Sequence, residues 1–369
     1  MKIFYQQRMA NFIITMKPAA YQEAIDAFAD TFHRFEAEPI TTGLINQSWK
    51  ITCQQTGEIY LLQQINTTVF PDPELLQYNY ELLWKHIRAT RLSFTIPAPK
   101  YFAGETTFYT DSNNRCWRVF EFVPGSVTLS NIENPQQAKT VATTFAAFTA
   151  GFANFDAAQL HPTIYRFHDL SFRFDQFKES LHSPYYERLH QAALLIEELK
   201  KREYYSSFYD IITESGEFRL RVMHHDAKIS NILFDNTGKV ICPVDLDTTM
   251  PGYFFSDLGD MIRSMAGSHD EKTKGVDHLH IRKEFYEAIM NGYLSVMENQ
   301  LTAAEKKYIH FAGPAMICMQ ALRFLSDYLN GDIYYRIDYP EQNYDRAKNQ
   351  LTLLLKLEEF LEKQYAFRI

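Results

Sequence analysis

Cysteine is sparse in this 369-residue chain: Cys53, Cys116, Cys242 and Cys318 lie far apart, with no CxxC or Cys/His spacing. That excludes a disulfide framework and a structural zinc site, and it suits buried thiols in a reducing compartment. The longest Lys/Arg run is the short Lys200-Lys201-Arg202, and the net charge is −8. The sequence therefore offers no positive field for a nucleic acid or an anionic membrane surface. Long apolar runs are missing too. The apolar patch inside MKIFYQQRMANFIITMKPAA is too short and too interrupted for a signal peptide or a membrane span, so a cytoplasmic protein acting on a small molecule is expected. Repeats and low-complexity tracts are absent.

What is present is an ordinary globular composition, 46% hydrophobic, with length for about two domains. Helical spacing of apolar residues with Pro18 near the start predicts a leading helix over about 17–33. Alternation on both sides of Gly57 predicts a β-hairpin within 40–66. The segment PDPELLQYNYELLWKHIRA reads as a helix, and PKYFAGETTFYTDSNNRCWRVFEFVPGS as two further strands around a turn at 111–114. Thr302 and Glu305 form a capping-box signature that starts a helix. A small β-rich N-terminal lobe, 1–123, and a larger α-helical C-terminal lobe, 124–369, follow from this order: an α+β chain.

The most informative stretch is HHDAKISNILFDNTGKVICPVDLDT, 224–248. Its runs NILF and KVICPV flank the turn Asp235-Asn236-Thr237-Gly238, so pairing them carries Asn231 and Asp245 to the open end of a hairpin beside Asp226. Pro243 implies an edge or a bulge on the return strand. Oxygen ligands converging in this way suit a magnesium ion bound to phosphates, and phosphoryl transfer asks a protein for little beyond such positioning. Taken singly, each Asp or Asn there is more often a cap than a ligand, and Asp235 is a turn residue.

The spacing H-x-D-x-x-x-x-N (His224, Asp226, Asn231), followed by an Asp after a hairpin, resembles the catalytic and metal-binding loops of protein-kinase-like phosphotransferases. DLDT in place of Asp-Phe-Gly resembles the aminoglycoside phosphotransferase and choline kinase superfamily. Within it, HHDAKISNILFD, VDLDTTMPG, SDLGDMIRS, FHDLSFRF and ALRFLSDYLNGDIYY are similar to the N-acetylhexosamine 1-kinases, over about 40–350. The resemblance implies a protein-kinase-like two-lobe fold, ATP and Mg2+ as cofactors, and phosphorylation of the anomeric hydroxyl of N-acetylglucosamine or N-acetylgalactosamine. It makes Asp226 the catalytic base or nucleophile-orienting carboxylate, Lys228 a loop lysine that can face the transferring phosphoryl group, Asn231 and Asp245 the magnesium ligands, and Asp247 a further contact around the metal or to a second one. His224 becomes a support for the loop. Asp257 is expected to accept backbone N–H bonds at a helix start, outside the chemistry.

In that fold TTGLINQSWKI would be the phosphate-covering hairpin, with Gly43 as its one glycine and Asn46 and Ser48 as side-chain donors; a plain β-turn reads equally well. The next strand carries Gln63 and Gln64 where Lys or Arg is usual, so phosphate binding is expected to lean on magnesium, backbone N–H groups and Lys228. Glu81 then has no evident cation. Glu121 to Val123 would offer hinge backbone to adenine, and Arg323, Tyr334 and Asp327 would contact the sugar, with Arg263 and Ser264 as further candidates. The alternative for Arg323 and Asp327, four residues apart, is a surface ion pair. Other readings are a kinase for an aminoglycoside, choline or homoserine, and a nucleotide-binding regulator without catalysis, suggested by Gln63.

Overall fold

The computed structural model describes residues 19–29, 34–41, 45–103 and 105–369. The chain divides into two compact units, Met1–Arg88 with Ile96–Gly125, and Ala89–Thr95 with Ser126–Ile369. The first is a small antiparallel sheet with two helices, the second is mostly helical, and together they make an α+β chain.

In the first unit, helix α1 (Ala19–Phe28) is the described part of the expected leading helix; residues 17–18 and 30–33 lie outside the described residues. Strands β1 (Phe35–Ile40), β2 (Gln47–Cys53), β3 (Ile59–Gln64) and β6 (Cys116–Glu121) pair in that order. Two short strands, β4 (Pro99–Lys100) and β5 (Phe108–Thr110), line the far edge of β6. The expected β2–β3 hairpin forms, turning through Gly57 at φ 73°. Sequence reading missed β1, whose FEAEPI pattern carries little apolar signal, and β4, which is two residues long.

Alternation sorts the sheet into two faces. Trp49, Ile51, Leu62, Trp117 and Val119 form one, packed with Phe102 and with Ala24 and Ile25 of α1. Glu23 docks that helix: its carboxylate accepts from Ser112 N at 2.7 Å, Ser112 Oγ at 2.7 Å and Tyr109 Oη at 2.9 Å. The opposite face carries Phe120, whose ring centroid lies 4.6 Å from that of Tyr80 on helix α2 (Pro73–Thr90). The 111–114 turn is organised by Asp111, which accepts from Arg115 Nε at 2.6 Å and Trp117 Nε1 at 2.9 Å.

The second unit contains helices α3 (Pro135–Gly151), α4 (Leu170–Ser180), α5 (Tyr186–Gln191), α6 (Ala193–Lys200), α7 (Tyr204–Glu214), α8 (Phe255–Met265), α9 (Lys283–Met297), α10 (Ala303–Lys307), α11 (Ala312–Leu329) and α12 (Gln342–Tyr365). Helix α11 is apolar nearly all round, as a helix enclosed by others should be, and it packs on α4, α8 and α12. Helix α8 lies close on it because Gly259 has no side chain. A Cβ there would stand 2.3 Å from the carbonyl oxygen of Ala312. Two antiparallel pairs complete the unit: β8 (Ile232–Phe234) with β9 (Val240–Pro243), as expected, and β7 (Arg221–Met223) with β10 (Met250–Gly252), which three-residue strands conceal from pattern reading.

The Thr302 capping box forms as the sequence predicts. The structure adds a partner: Glu305, fully buried, also accepts from Arg221 Nη1 at 2.5 Å, Arg221 Nη2 at 2.8 Å and Arg219 N at 2.9 Å. One carboxylate thus caps α10 and anchors β7. Removing one partner of a buried pair strands the other charge, so Glu305→Ala is expected to lower unfolding free energy by about 3–5 kcal/mol, against about 1 kcal/mol for Thr302→Ala, in denaturant titrations.

Candidate active site

The candidate catalytic loop begins where β7 ends. His224 is fully buried, with its ring edge-on to Phe145 at 5.0 Å and Phe148 at 5.8 Å. Its Nε2 lies 3.0 Å from the Val244 carbonyl, which only accepts, so the proton sits on Nε2. Burial lowers its pKa, and the ring serves as a neutral strut between the loop and the start of the second acidic cluster. His225 follows in a left-handed conformation, φ 63°, unusual for a residue with a side chain.

Asp257 fixes that turn. It is fully buried in the first turn of α8 and accepts the backbone N–H of His224 at 2.9 Å and of His225 at 2.7 Å. Burial, opposed by these two bonds, raises its pKa to about 7. The sequence expectation of a helix-start carboxylate accepting N–H groups is met with a difference, since the N–H groups belong to the loop rather than to its own helix.

Asp226 follows the turn. Asn231 Nδ2 donates to its Oδ2 at 2.8 Å and to its carbonyl at 2.9 Å, and Lys228 Nζ stands 2.8 Å from Oδ2. Burial pushes the carboxyl pKa up, but the Lys228 charge and the Asn231 bond outweigh it, and the net shift is downward. The Lys228 pKa is raised: burial acts against the ammonium, while Asp226, Asp245 and Asp260 hold its proton. Asp226 is therefore a carboxylate at neutral pH, beside a lysine that is charged.

The hairpin β8–β9 brings the second cluster to the same end. Val244 N donates to Asn231 O at 2.9 Å, closing the ladder there, and Asp235 ties the far turn by accepting from Thr237 N and Lys239 N. The irregularity expected near Pro243 falls between Leu233 and Phe234, which pair with Cys242 and Val240 and so leave Ile241 unmatched. Asp245 is exposed and left-handed, φ 61°, and close enough to act on Lys228. Asp247 is buried, with its carbonyl accepting from Thr163 Oγ1 at 2.7 Å. Asn231 spends its Nδ2 on Asp226, which leaves Oδ1 as the atom suited to a cation. Among the described residues no three His, Cys, Asp or Glu side chains form a metal cluster of their own. An amide oxygen and one or two carboxylates fit magnesium, which takes few protein ligands and completes its shell from water and phosphate.

The candidate acceptor residues gather elsewhere in the second unit. The Arg323 guanidinium lies over Phe167 at 5.1 Å, Tyr335 at 5.5 Å and Tyr334 at 5.7 Å, and Arg323 Nη1 donates to Gln320 Oε1 at 3.1 Å. The alternative of an Arg323–Asp327 ion pair does not form, and Asp327, expected to contact the sugar, has another use. That carboxylate, buried, accepts from Ile333 N, Tyr334 N, Tyr335 N and Asn343 Nδ2 and holds the loop carrying Tyr334. Arg263 is likewise occupied, by Asp260 at 2.8 Å and Glu271 at 2.6 Å, and Ser264 bonds back to the Asp260 carbonyl. Both pair inward within the protein.

Four residues absent from the sequence-based site connect the acceptor cluster to the catalytic loop. Phe167 stacks on His168 at 4.3 Å. His168 Nδ1, Ser256 Oγ and His225 Nδ1 form a triangle of 2.6, 2.7 and 3.1 Å. Burial holds both histidines neutral, His225 at about 4 and His168 well below its usual value with His225, Arg323 and Arg173 adding to the effect. The one sequence signal was FHDLSFRF, which contains Phe167, His168 and Arg173 but gives no role to any of them.

In the first unit several of the candidate nucleotide residues bond to neighbours within the unit. Gln63 Nε2 donates to Ser48 Oγ at 3.0 Å, while Asn46 Oδ1 accepts from Asn66 N at 3.0 Å. The backbone N–H of Glu121 is used by Ala98 O at 2.8 Å. Val123 is half-buried, and Gly43 lies outside the described residues. Glu81 pairs with Lys85 at 3.0 Å and accepts from Thr107 Oγ1.

Several solved structures share this fold. An aminoglycoside phosphotransferase from Alicyclobacillus acidocaldarius subsp. acidocaldarius DSM 446 is 13% identical, with 95% of this chain and 98% of that chain covered and a TM-score of 0.59. A microcompartment-associated aminopropanol kinase is 17% identical over 94% and 98%, at 0.54, and LicA in complex with AMP is 14% identical over 90% and 97%, at 0.52. Residues 36–300 match the phosphotransferase enzyme family. With that match covering most of the chain and the kinase-like fold around the 224–248 loops, the protein belongs to the phosphotransferase enzyme family.

Proposed function

We propose that the protein transfers the γ-phosphoryl group of ATP, with Mg2+, to a sugar hydroxyl, specifically the anomeric hydroxyl of an N-acetylhexosamine. The observation that carries the transfer chemistry is the Asp226 cluster: an ionised carboxylate oriented by Asn231, beside the Lys228 ammonium and next to Asp245. Asp226 would accept the acceptor's hydroxyl proton at Oδ1 or Oδ2 while orienting the oxygen for in-line attack. Lys228 would lie against the transferring group. Magnesium, when bound by Asn231, Asp245 and Asp247, would neutralise phosphate charge. Because the transition state is loose, positioning and electrostatics contribute more than proton abstraction. The nucleotide end falls to the first unit, 1–123 in the sequence reading, and the acceptor end to the second; LicA, which shares the fold, binds AMP.

The acceptor cluster supports a neutral substrate. Arg173 and Arg323 are near enough that burial and mutual repulsion lower the Arg173 pKa to about 10. Asp327, a carboxylate within the cluster, is committed to the 333–335 backbone. Such a surface repels an ammonium group, whereas guanidinium donors and the exposed Tyr334 ring suit hydroxyls, an acetamido oxygen and a sugar face. The second reading is an amine-bearing alcohol, favoured by the named substrates of the similar structures, an aminoglycoside and aminopropanol.

ADP release measured with N-acetylglucosamine, N-acetylgalactosamine, galactose, choline and kanamycin separates the two readings. The N-acetylhexosamines are expected to be used, and turnover with choline or kanamycin alone would reverse the assignment. Asp226→Asn should reduce turnover about 100-fold or more with nucleotide affinity preserved; near-normal turnover would remove Asp226 from the chemistry. The pH–rate profile gives a separate check on Lys228. Its charge depresses the Asp226 pKa, so Lys228→Met should move the acid limb of kcat/KM to higher pH, in addition to slowing transfer.

A further inference from the structure

Phosphates on a nucleotide concentrate negative charge, and a site that binds them needs cations placed on the protein. On β3 the residue that the resemblance puts where a cation is usual is Gln63, a neutral amide. The structure places a cation directly across from it. Gln63 and Arg118 are register partners on β3 and β6, and Arg118 Nε donates to Gln63 Oε1 at 3.1 Å. On its other side Gln63 Nε2 donates to Ser48 Oγ, its register partner on β2. A polar row, Ser48–Gln63–Arg118, therefore crosses three strands, with the carbonyl end of the amide turned toward the guanidinium.

The row lies on the sheet face that α1 does not cover. Alternation puts Trp49, Leu62, Trp117 and Val119 on the α1 face and leaves Ser48, Gln63 and Arg118 opposite, together with Phe120. Arg118 is 2% exposed, and its guanidinium lies 5.0 Å from the Phe120 ring centroid, whose far contact is Tyr80 of α2. A guanidinium so deep is held in one orientation by the ring and by the amide on Nε. The forked Nη end is the part shaped to meet two phosphate oxygens at once. A second polar group shares the helix face that carries Tyr80. Gln77, one turn earlier, is 1% exposed, and neither of its amide atoms has a hydrogen-bond partner within the protein. Buried amides are ordinarily satisfied, so Gln77 is an exception on this helix face.

We propose that Arg118 supplies the cation that grips the nucleotide's phosphates, with Gln63 as the positioning residue that aims it from the neighbouring strand. The inference rests on the nucleotide reading given under Proposed function, and it replaces the expectation that a β3 cation is simply dispensed with. The cation stands one strand over from β3, directly across from the amide.

The test is direct binding of Mg·ATP and of adenosine to the full-length protein by calorimetry, with thermal melting of each variant. Losing a charged hydrogen-bond donor corresponds to a roughly 10–100-fold weakening, so Arg118→Met is expected to weaken Mg·ATP by that factor and leave adenosine within about twofold. Adding Gln63→Lys to that variant should recover most of the Mg·ATP affinity. Arg118→Lys, which keeps the buried charge and loses the fork, is expected to weaken Mg·ATP about 3–10-fold with adenosine unchanged, and it serves if the methionine variant does not fold. Parallel loss of ATP and adenosine affinity, or no loss of either, would overturn the assignment and make Arg118 a structural residue. A wild-type protein that binds adenosine and Mg·ATP alike too weakly to measure would instead sink the nucleotide reading itself, and this inference with it.

Discussion

The fully buried carboxylate of Asp257 is the interaction on which the candidate active site depends. It accepts two consecutive backbone N–H groups, those of His224 and His225, and so holds a left-handed turn that a residue with a side chain would otherwise avoid. Asp226 is the next residue, and its direction is set by that turn. The carboxylate can do this only because α8 is itself fixed, through the close approach of Gly259 to the backbone of α11. Helix packing in the interior is thus transmitted to the orientation of one reactive group through two hydrogen bonds.

A second consequence of the same packing is the continuity of the site within the larger unit. From Asp226 the chain of contacts runs through His225, Ser256 and His168 to Phe167, and from there to Arg323 and Tyr334. The histidines in it are neutral, which keeps further positive charge away from two neighbouring arginines and lets the rings act as spacers. The acidic residues of the unit are largely committed to neighbours: Asp327 to a loop backbone, Asp260 and Glu271 to Arg263, and Glu271 also to Arg346.

Local signals made parts of this legible in the sequence. The turn at 235–238, the capping box at Thr302 and the alternation around Gly57 each act through neighbours a few residues away, and each forms where it was expected. The convergence of Asn231 and Asp245 was readable for the same reason, because a hairpin converts spacing into proximity. What escaped notice depends on residues distant in the chain. Arg221 meeting Glu305, Asp257 reaching back to the 224–225 backbone, and the His168–Ser256–His225 triangle all bring together segments tens of residues apart, and no periodicity announces them. Asp327 and Arg263 looked like ligands because they are charged and near a resemblance motif; their partners, a loop backbone and Glu271, were not visible. Arg118 was passed over because a strand position facing inward reads as core.

The contact between His225 and Gly252 carries an implication for how this chain can vary. A Cβ on residue 252 would stand 2.4 Å from His225 Cε1 and 2.7 Å from Nε2, so the imidazole occupies the space that any side chain there would need. The two positions are consequently coupled by steric exclusion: with the imidazole where it stands, residue 252 has room for glycine alone. A side chain at 252 would need the ring at 225 to move or to be replaced by a smaller one, even though the residues are twenty-seven apart in the chain.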